Sequence, residues 1–145
     1  MKNWNFIQNM ISYIYSAENI HPKQIEGFCV NWQDKLSPKM HLKLLENSDE
    51  IVLAIDDETD MVVGFFTAIT DKVISAYIPL LEVLPDYQNK GIGSQLMRFM
   101  FERLQRFYMV DLLCDSKLQS FYEKLGMQTV TGMCIRNCEA IRKIV

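Results

Sequence analysis

The chain has 145 residues, of which 49% are apolar and 23% charged, and its formal net charge is −3. That size and balance fit one globular domain over 1–145 with a substantial core. The scattered positive charges exclude the basic stripe of a nucleic-acid binder, and no apolar run is long enough to span a bilayer.

Asn5, Gln8 and Asn9 interrupt the apolar residues of the N-terminus, so no signal peptide is read there. The expectation is a cytoplasmic protein with no nucleic-acid and no membrane partner. The cysteines Cys29, Cys114, Cys134 and Cys138 form no CxxC pair. They read as free thiols in or near the core, and no metal site is expected.

Phe6 to Tyr15 reads as a first strand, with Ile11, Tyr13 and Tyr15 alternating around Ser12 and Ile14. His21-Pro22 suggests a helix start, followed by Ile25, Phe28, Cys29 and Trp32 at helical spacing. Ser37-Pro38 is a second start signal, with Met40, Leu44 and Leu45 on the apolar side. His21 and His41 sit beside these starts and are expected to be exposed or capping.

Ile51 to Ile55 and Met61 to Ile69 read as a hairpin around the polar turn Asp56 to Asp60. After Asp71-Lys72, Val73 to Leu84 is a long, nearly continuous apolar strand that suggests burial on both faces. Pro79 within it cannot donate to a ladder and implies a bulge, an edge or a splayed point.

Ile92, Leu96, Phe99, Met100, Leu104 and Phe107 form one stripe of a helix spanning Gln95 to Phe107. Met109 to Cys114 reads as a buried strand and Ser116 to Leu125 as a helix closed by Gly126. Met127 to Thr131 and Met133 to Asn137 are short strand candidates around Gly132. This order predicts an α/β fold with a mixed sheet.

The most informative stretch runs from Leu84 to Ser94, between the long strand and the helix. A glycine turn at a helix N-terminus converges backbone N–H groups where the helix dipole is positive, which makes an anion site. Glycine lets the main chain approach a phosphate without a Cβ in the way. The third glycine of a dinucleotide fingerprint is missing, since position 96 is Leu96, and Gly-Lys-Ser/Thr of a P-loop is absent.

Gln88-x-x-Gly91-x-Gly93 resembles the pyrophosphate-binding motif of the GNAT superfamily of acetyl-CoA-dependent N-acetyltransferases. Phe121-Tyr122-Glu123-Lys124-Leu125-Gly126-Met127 is similar to a later helix of that family, and the order and separation of the two also fit. The resemblance covers Ser75 to Asn137 well and the N-terminal part by element order only.

The resemblance implies a central mixed sheet that splays between two parallel strands and is flanked by helices. It further implies that acetyl-CoA, as co-substrate and with no metal, lies in that splay. Backbone groups near Val83 and Leu84 would bond the pantetheine. Gln88, Asn89, Lys90, Gly91, Ile92, Gly93 and Ser94 would hold the pyrophosphate, and Asp115, where many relatives carry Asn, would contact the pantetheine arm or cap the next helix. Asn89 replaces a frequent glycine, and asparagine tolerates the left-handed region.

The implied reaction is direct attack of a primary amine, on a small molecule or peptide, upon the thioester carbonyl. Tyr122 matches the family's tyrosine that protonates the leaving thiolate. Glu82 is the candidate base, because a carboxylate between Leu81 and Val83 should have a raised pKa if buried. Asp111 and a water remain open as alternatives, since Pro79 and Leu80 stand where the family often has an acid. That departure also leaves open a non-catalytic acyl-CoA-binding module. Tyr13, Tyr15, Phe28 and Trp32 could line an acceptor pocket, and a homodimer would be in keeping with the family.

Overall fold

A computed structural model describes residues 10–145. Five strands form one sheet in the order β1-β2-β3-β4-β5: β1 Ile11–Ile14, β2 Glu50–Asp56, β3 Met61–Thr70, β4 Ser75–Val83 and β5 Met109–Leu112. The first four are antiparallel neighbours, and β4 and β5 are parallel. The expected mixed sheet and hairpin are therefore present. The Phe6–Asn9 part of the predicted first strand lies outside the described residues.

The helices are α1 Pro38–Glu46, α2 Ile92–Leu104, α3 Gln119–Glu123 and α4 Cys138–Arg142. Ser37 caps α1 by accepting from the Met40 amide at 3.3 Å, with Pro38 at the first helical position, as its sequence predicts. The apolar stripe of α2 buries Ile92, Leu96, Met97, Met100 and Leu104 on one sheet face against Val52, Val63, Phe66 and Ile78. The opposite face carries Leu53, Ile55, Val62 and Phe65, covered by Leu45 of α1 and by Ile25 and Phe28. Phe65 and Phe66 are fully enclosed, one on each face, and each contributes about 1.5–3 kcal/mol by burial. Arg103 of α2 reaches Glu50 at the start of β2, Nε to Oε2 at 2.6 Å, and ties that helix to the sheet.

Several local expectations are corrected. Residues 25–32 form no helix: the His21-Pro22 signal yields one 3-10 turn, Pro22–Gln24. Gly27 at φ +85° and Cys29 at φ +60° turn the chain away from right-handed helix. Ile25, Phe28 and Cys29 reach the core from an irregular segment, while Trp32 stays 37% exposed.

β4 is half-buried over most of its length, and β5 alternates exposed and half-buried residues, because β5 is the sheet's edge strand among the described residues. Met127–Asn137 carries no strand. There Gly132 lies so close to Leu113, the residue after β5, that a Cβ would come within 2.6 Å of Leu113 Cδ2. Of the four free cysteines, Cys29 is buried and Cys114 half-buried, whereas Cys134 and Cys138 are exposed.

Candidate active site

Pairing between the parallel strands β4 and β5 runs from Ser75↔Met109 to Ile78↔Leu112 and stops there. The next residue is Pro79, which has no N–H to give a neighbour. Opposite it, β3 shifts register between Thr67 and Ile69, so Ile78 and Pro79 together face Ala68. The proline thus marks both a bulge and the point where the strands part. Beyond it β4 continues along β3 to Val83, and the β5 side is open.

The turn after β4 is built from positive-φ residues. Asn89 sits at φ +59° and Gly91 at φ +83°, the latter as the N-cap of α2. The first helical bond runs from Gln95 N to Gly91 O at 3.0 Å. That leaves the amides of Ile92, Gly93 and Ser94 as first-turn donors with no intrahelical acceptor. Gln88 folds back, its Nε2 donating to Val83 O at 3.0 Å, and so latches the turn to the last residue of β4.

A Cβ added at Gly93 would lie 3.9 Å from Val83 Cγ2 and 4.0 Å from Phe121 Cζ. The first turn of α2, the end of β4 and α3 therefore converge on this glycine. Phe121 reads in the sequence only as a motif residue; its place at this convergence follows from the fold. Leu84 departs from expectation, since its N–H donates to Val63 O at 2.8 Å and faces β3. Alternate residues of a strand turn their amides to opposite sides, so Val83 directs its backbone groups toward the open side. Lys90 rests its ammonium 5.2 Å from the Tyr87 ring centroid.

Glu82 and Tyr122 lie on opposite faces of the sheet. Glu82 Oε1 accepts the Cys29 amide at 2.7 Å on the α1 face. Burial raises the Glu82 pKa, and the Cys29 and Val30 amides partly offset this by favouring the carboxylate. Tyr122 packs in the α2 cluster and is only 8% exposed. Burial, and then the nearby Cys114 thiol, push its pKa up to about 12. A cavity of about 230 Å³ between the end of β5, α3 and 127–132 is lined by Cys114 and Tyr122. The two candidates flank the region where the strands part, one from each side.

Asp115 is exposed and stands at the N-cap of the 3-10 turn Ser116–Leu118 without a side-chain capping bond. Asp111 is exposed on β5, opposite Tyr77. Tyr13 and Tyr15 pack on Phe99 of α2, at 5.0 and 6.1 Å between ring centroids, away from the α1 face. Phe28 makes edge contacts with Phe65 and His41 and lines a cavity of about 260 Å³ with Ile25, Val30 and His41.

His21 caps its turn as expected, Nδ1 accepting from the Lys23 amide. His41 is corrected: it is buried at 3% exposure, and desolvation lowers its pKa to about 4. Among the described residues no group of three His, Cys, Asp or Glu could hold a metal ion, and no helix is long and apolar enough to cross a membrane.

A profile described as an acetyltransferase (GNAT) domain matches residues 47–128, more than half of the chain. The chain belongs to the GNAT acetyltransferase family. A Deinococcus radiodurans R1 protein provisionally named an acetyltransferase is 36% identical, with a TM-score of 0.84 over 87% of each chain. The GNAT family protein SP0256 of Streptococcus pneumoniae TIGR4 is 29% identical, with a TM-score of 0.70 over 89% of this chain and 99% of that one. The uncharacterized N-acetyltransferase ycf52 of Porphyra purpurea is 26% identical over 132 residues, covering 86% of this chain and 75% of its own. An acyltransferase of GNAT fold is thus the general character of the chain. The family profile ends at residue 128, so the turn, β5 and Tyr122 all fall inside it and α4 falls outside.

Proposed function

We propose that this GNAT acetyltransferase moves the acetyl group of acetyl-CoA to a primary amine on a small molecule or peptide, by direct attack on the thioester. The observation that carries the reading is the parting of β4 and β5 after Ile78↔Leu112, with the Gln88–Ser94 turn at its end. The open side of β4 fits an extended pantetheine arm. The first-turn amides of Ile92, Gly93 and Ser94, together with the glycine at position 93, fit a diphosphate.

Glu82 takes the proton of the incoming ammonium group on the α1 face. Its raised pKa brings it nearer to neutral pH than an ordinary glutamate, which suits a base. The Cys29 amide, donating to Oε1, holds the carboxylate in place at the end of β4. A main-chain N–H on the open side of β4 stabilises the developing oxyanion.

Tyr122 meets the sulfur from the other face. With a pKa near 12 the phenol keeps its proton at neutral pH. Complete transfer to a thiolate of pKa about 8.5 runs uphill. Tyr122 therefore acts chiefly as a hydrogen-bond donor to the sulfur while charge builds there.

The test is thiol release from acetyl-CoA with a panel of polyamines, amino acids, aminoglycosides, arylamines and peptide N-termini, alongside calorimetric titration of acetyl-CoA. Binding plus CoA release with at least one amine is expected. Binding without turnover on any acceptor would instead support a non-catalytic acyl-CoA module, and no binding would end the proposal.

A further inference from the structure

Asp56 takes no part in the chemistry above, yet it is a charged residue at 0% exposure. A buried carboxylate must recover its lost hydration through hydrogen bonds. Its two oxygens do different work. Oδ1 accepts the Glu58 amide at 2.9 Å and closes the β2–β3 turn, while Oδ2 accepts the Tyr87 hydroxyl at 2.5 Å.

Tyr87 ends the 3-10 turn Pro85–Tyr87, one residue before Gln88. Its own amide donates to Leu84 O at 2.9 Å, and its ring carries the Lys90 ammonium. The segment between β4 and α2 is thus held in two ways. Gln88 ties it to the end of β4, and Tyr87 ties it to a buried charge at the far end of β2. A hydroxyl-to-carboxylate bond is among the stronger side-chain bonds, so the second tie is a stiff one.

We propose that Asp56 and Tyr87 form a positioning pair for the diphosphate of the acyl carrier. By fixing the start of the turn and parking Lys90 beside it, the pair pre-organises the amides of Ile92, Gly93 and Ser94. Ligand binding then does not have to order them. This role rests on the acetyl-CoA reading, and neither residue touches the thioester.

Tyr87→Phe removes only the hydroxyl and keeps the ring under Lys90. Acetyl-CoA affinity falls about tenfold in calorimetry, while affinity for S-acetylpantetheine, which has the thioester and no diphosphate, is unchanged. Asp56→Asn retains an acceptor for Glu58 and replaces the charged acceptor of the Tyr87 hydroxyl with a neutral amide, so its loss is no larger than that of Tyr87→Phe. The double variant loses no more than Tyr87→Phe alone, as expected for two ends of one bond. Equal losses for both ligands would mean general damage and overturn the pair. Wild-type acetyl-CoA affinity in Tyr87→Phe would overturn it too and leave the transferase reading intact. A wild-type protein that binds no acetyl-CoA would overturn both.

Discussion

Glu82 and Cys29 hold each other in place: the carboxylate accepts the amide of a residue whose φ is +60°, and the bond joins β4 to the irregular segment over the α1 face. The same contact that braces the loop also aims the candidate base. Glu82→Gln keeps an acceptor for the Cys29 amide and removes the group that takes up a proton. Its kcat/KM is expected to fall about 100-fold with little change in acetyl-CoA affinity. Because the Glu82 pKa is raised, wild-type activity should be lost on acidification above the ordinary glutamate range. A pH–rate profile of both proteins measures this. An acid limb that survives unchanged in the variant would remove Glu82 from the role.

Tyr122→Phe should lower kcat by roughly 100-fold, the cost of losing one donor at developing charge, and leave the KM for acetyl-CoA nearly unchanged. With its pKa near 12, the tyrosine itself contributes no alkaline loss of activity between neutral pH and 10. Steady-state kinetics over that range tests both points together.

His41 makes stability depend on pH. Its ring is neutral in the fold, with a pKa of about 4 against the usual 6.5, and Nε2 has no hydrogen-bond partner among the described residues. As pH falls from 6.5 toward 4 the unfolded chain takes up a proton that the native state refuses, so stability declines through that window. His41→Leu removes both the unpaired nitrogen and the titration. It should gain about 1 kcal/mol at pH 7 and lose less than the wild type between pH 7 and 5. Urea melts at the two pH values decide the matter, and parallel losses in the two proteins would contradict it.

Gly93 admits little beyond a Cβ, since Val83 and Phe121 already stand 3.9 and 4.0 Å from where that atom would be. Gly93→Ala should leave the melting temperature almost unchanged. Gly93→Trp must push its ring between β4 and α3 or into the open side. Acetyl-CoA affinity should then drop at least 100-fold, by calorimetry, together with a lower melting temperature. A tryptophan variant that binds as tightly as the wild type would show that the diphosphate lies elsewhere.

Much of the candidate site was legible in the chain because its signals are short-range. Gly91 and Asn89 need only the local φ that their residue types tolerate, and both adopt it. Ile92, Leu96, Met100 and Leu104 announce a helix by spacing alone. Pro79 announces a break in pairing simply by lacking a donor, and the pairing does end beside it. The motif around Phe121 and Tyr122 placed the tyrosine on a helix, and that helix is present.

The rest depended on partners far away along the chain. Spacing put Ile25, Phe28, Cys29 and Trp32 on one helical face; the first three are buried and Trp32 is exposed, because Gly27 and Cys29 adopt positive φ and the segment is a loop. The strand candidates Met127 to Thr131 and Met133 to Asn137 could not reveal that no strand pairs there, because a ladder needs a neighbour as well as a pattern. Nothing local separates His21, which caps a turn, from His41, which lies against Phe28 and Phe65. What the residues determined alone was the glycine turn and the helix behind it, since those follow from backbone freedom and period. What the tertiary structure decided was which face each acid occupies and which carboxylate anchors the turn, since these are set by contacts between residues brought together only on folding.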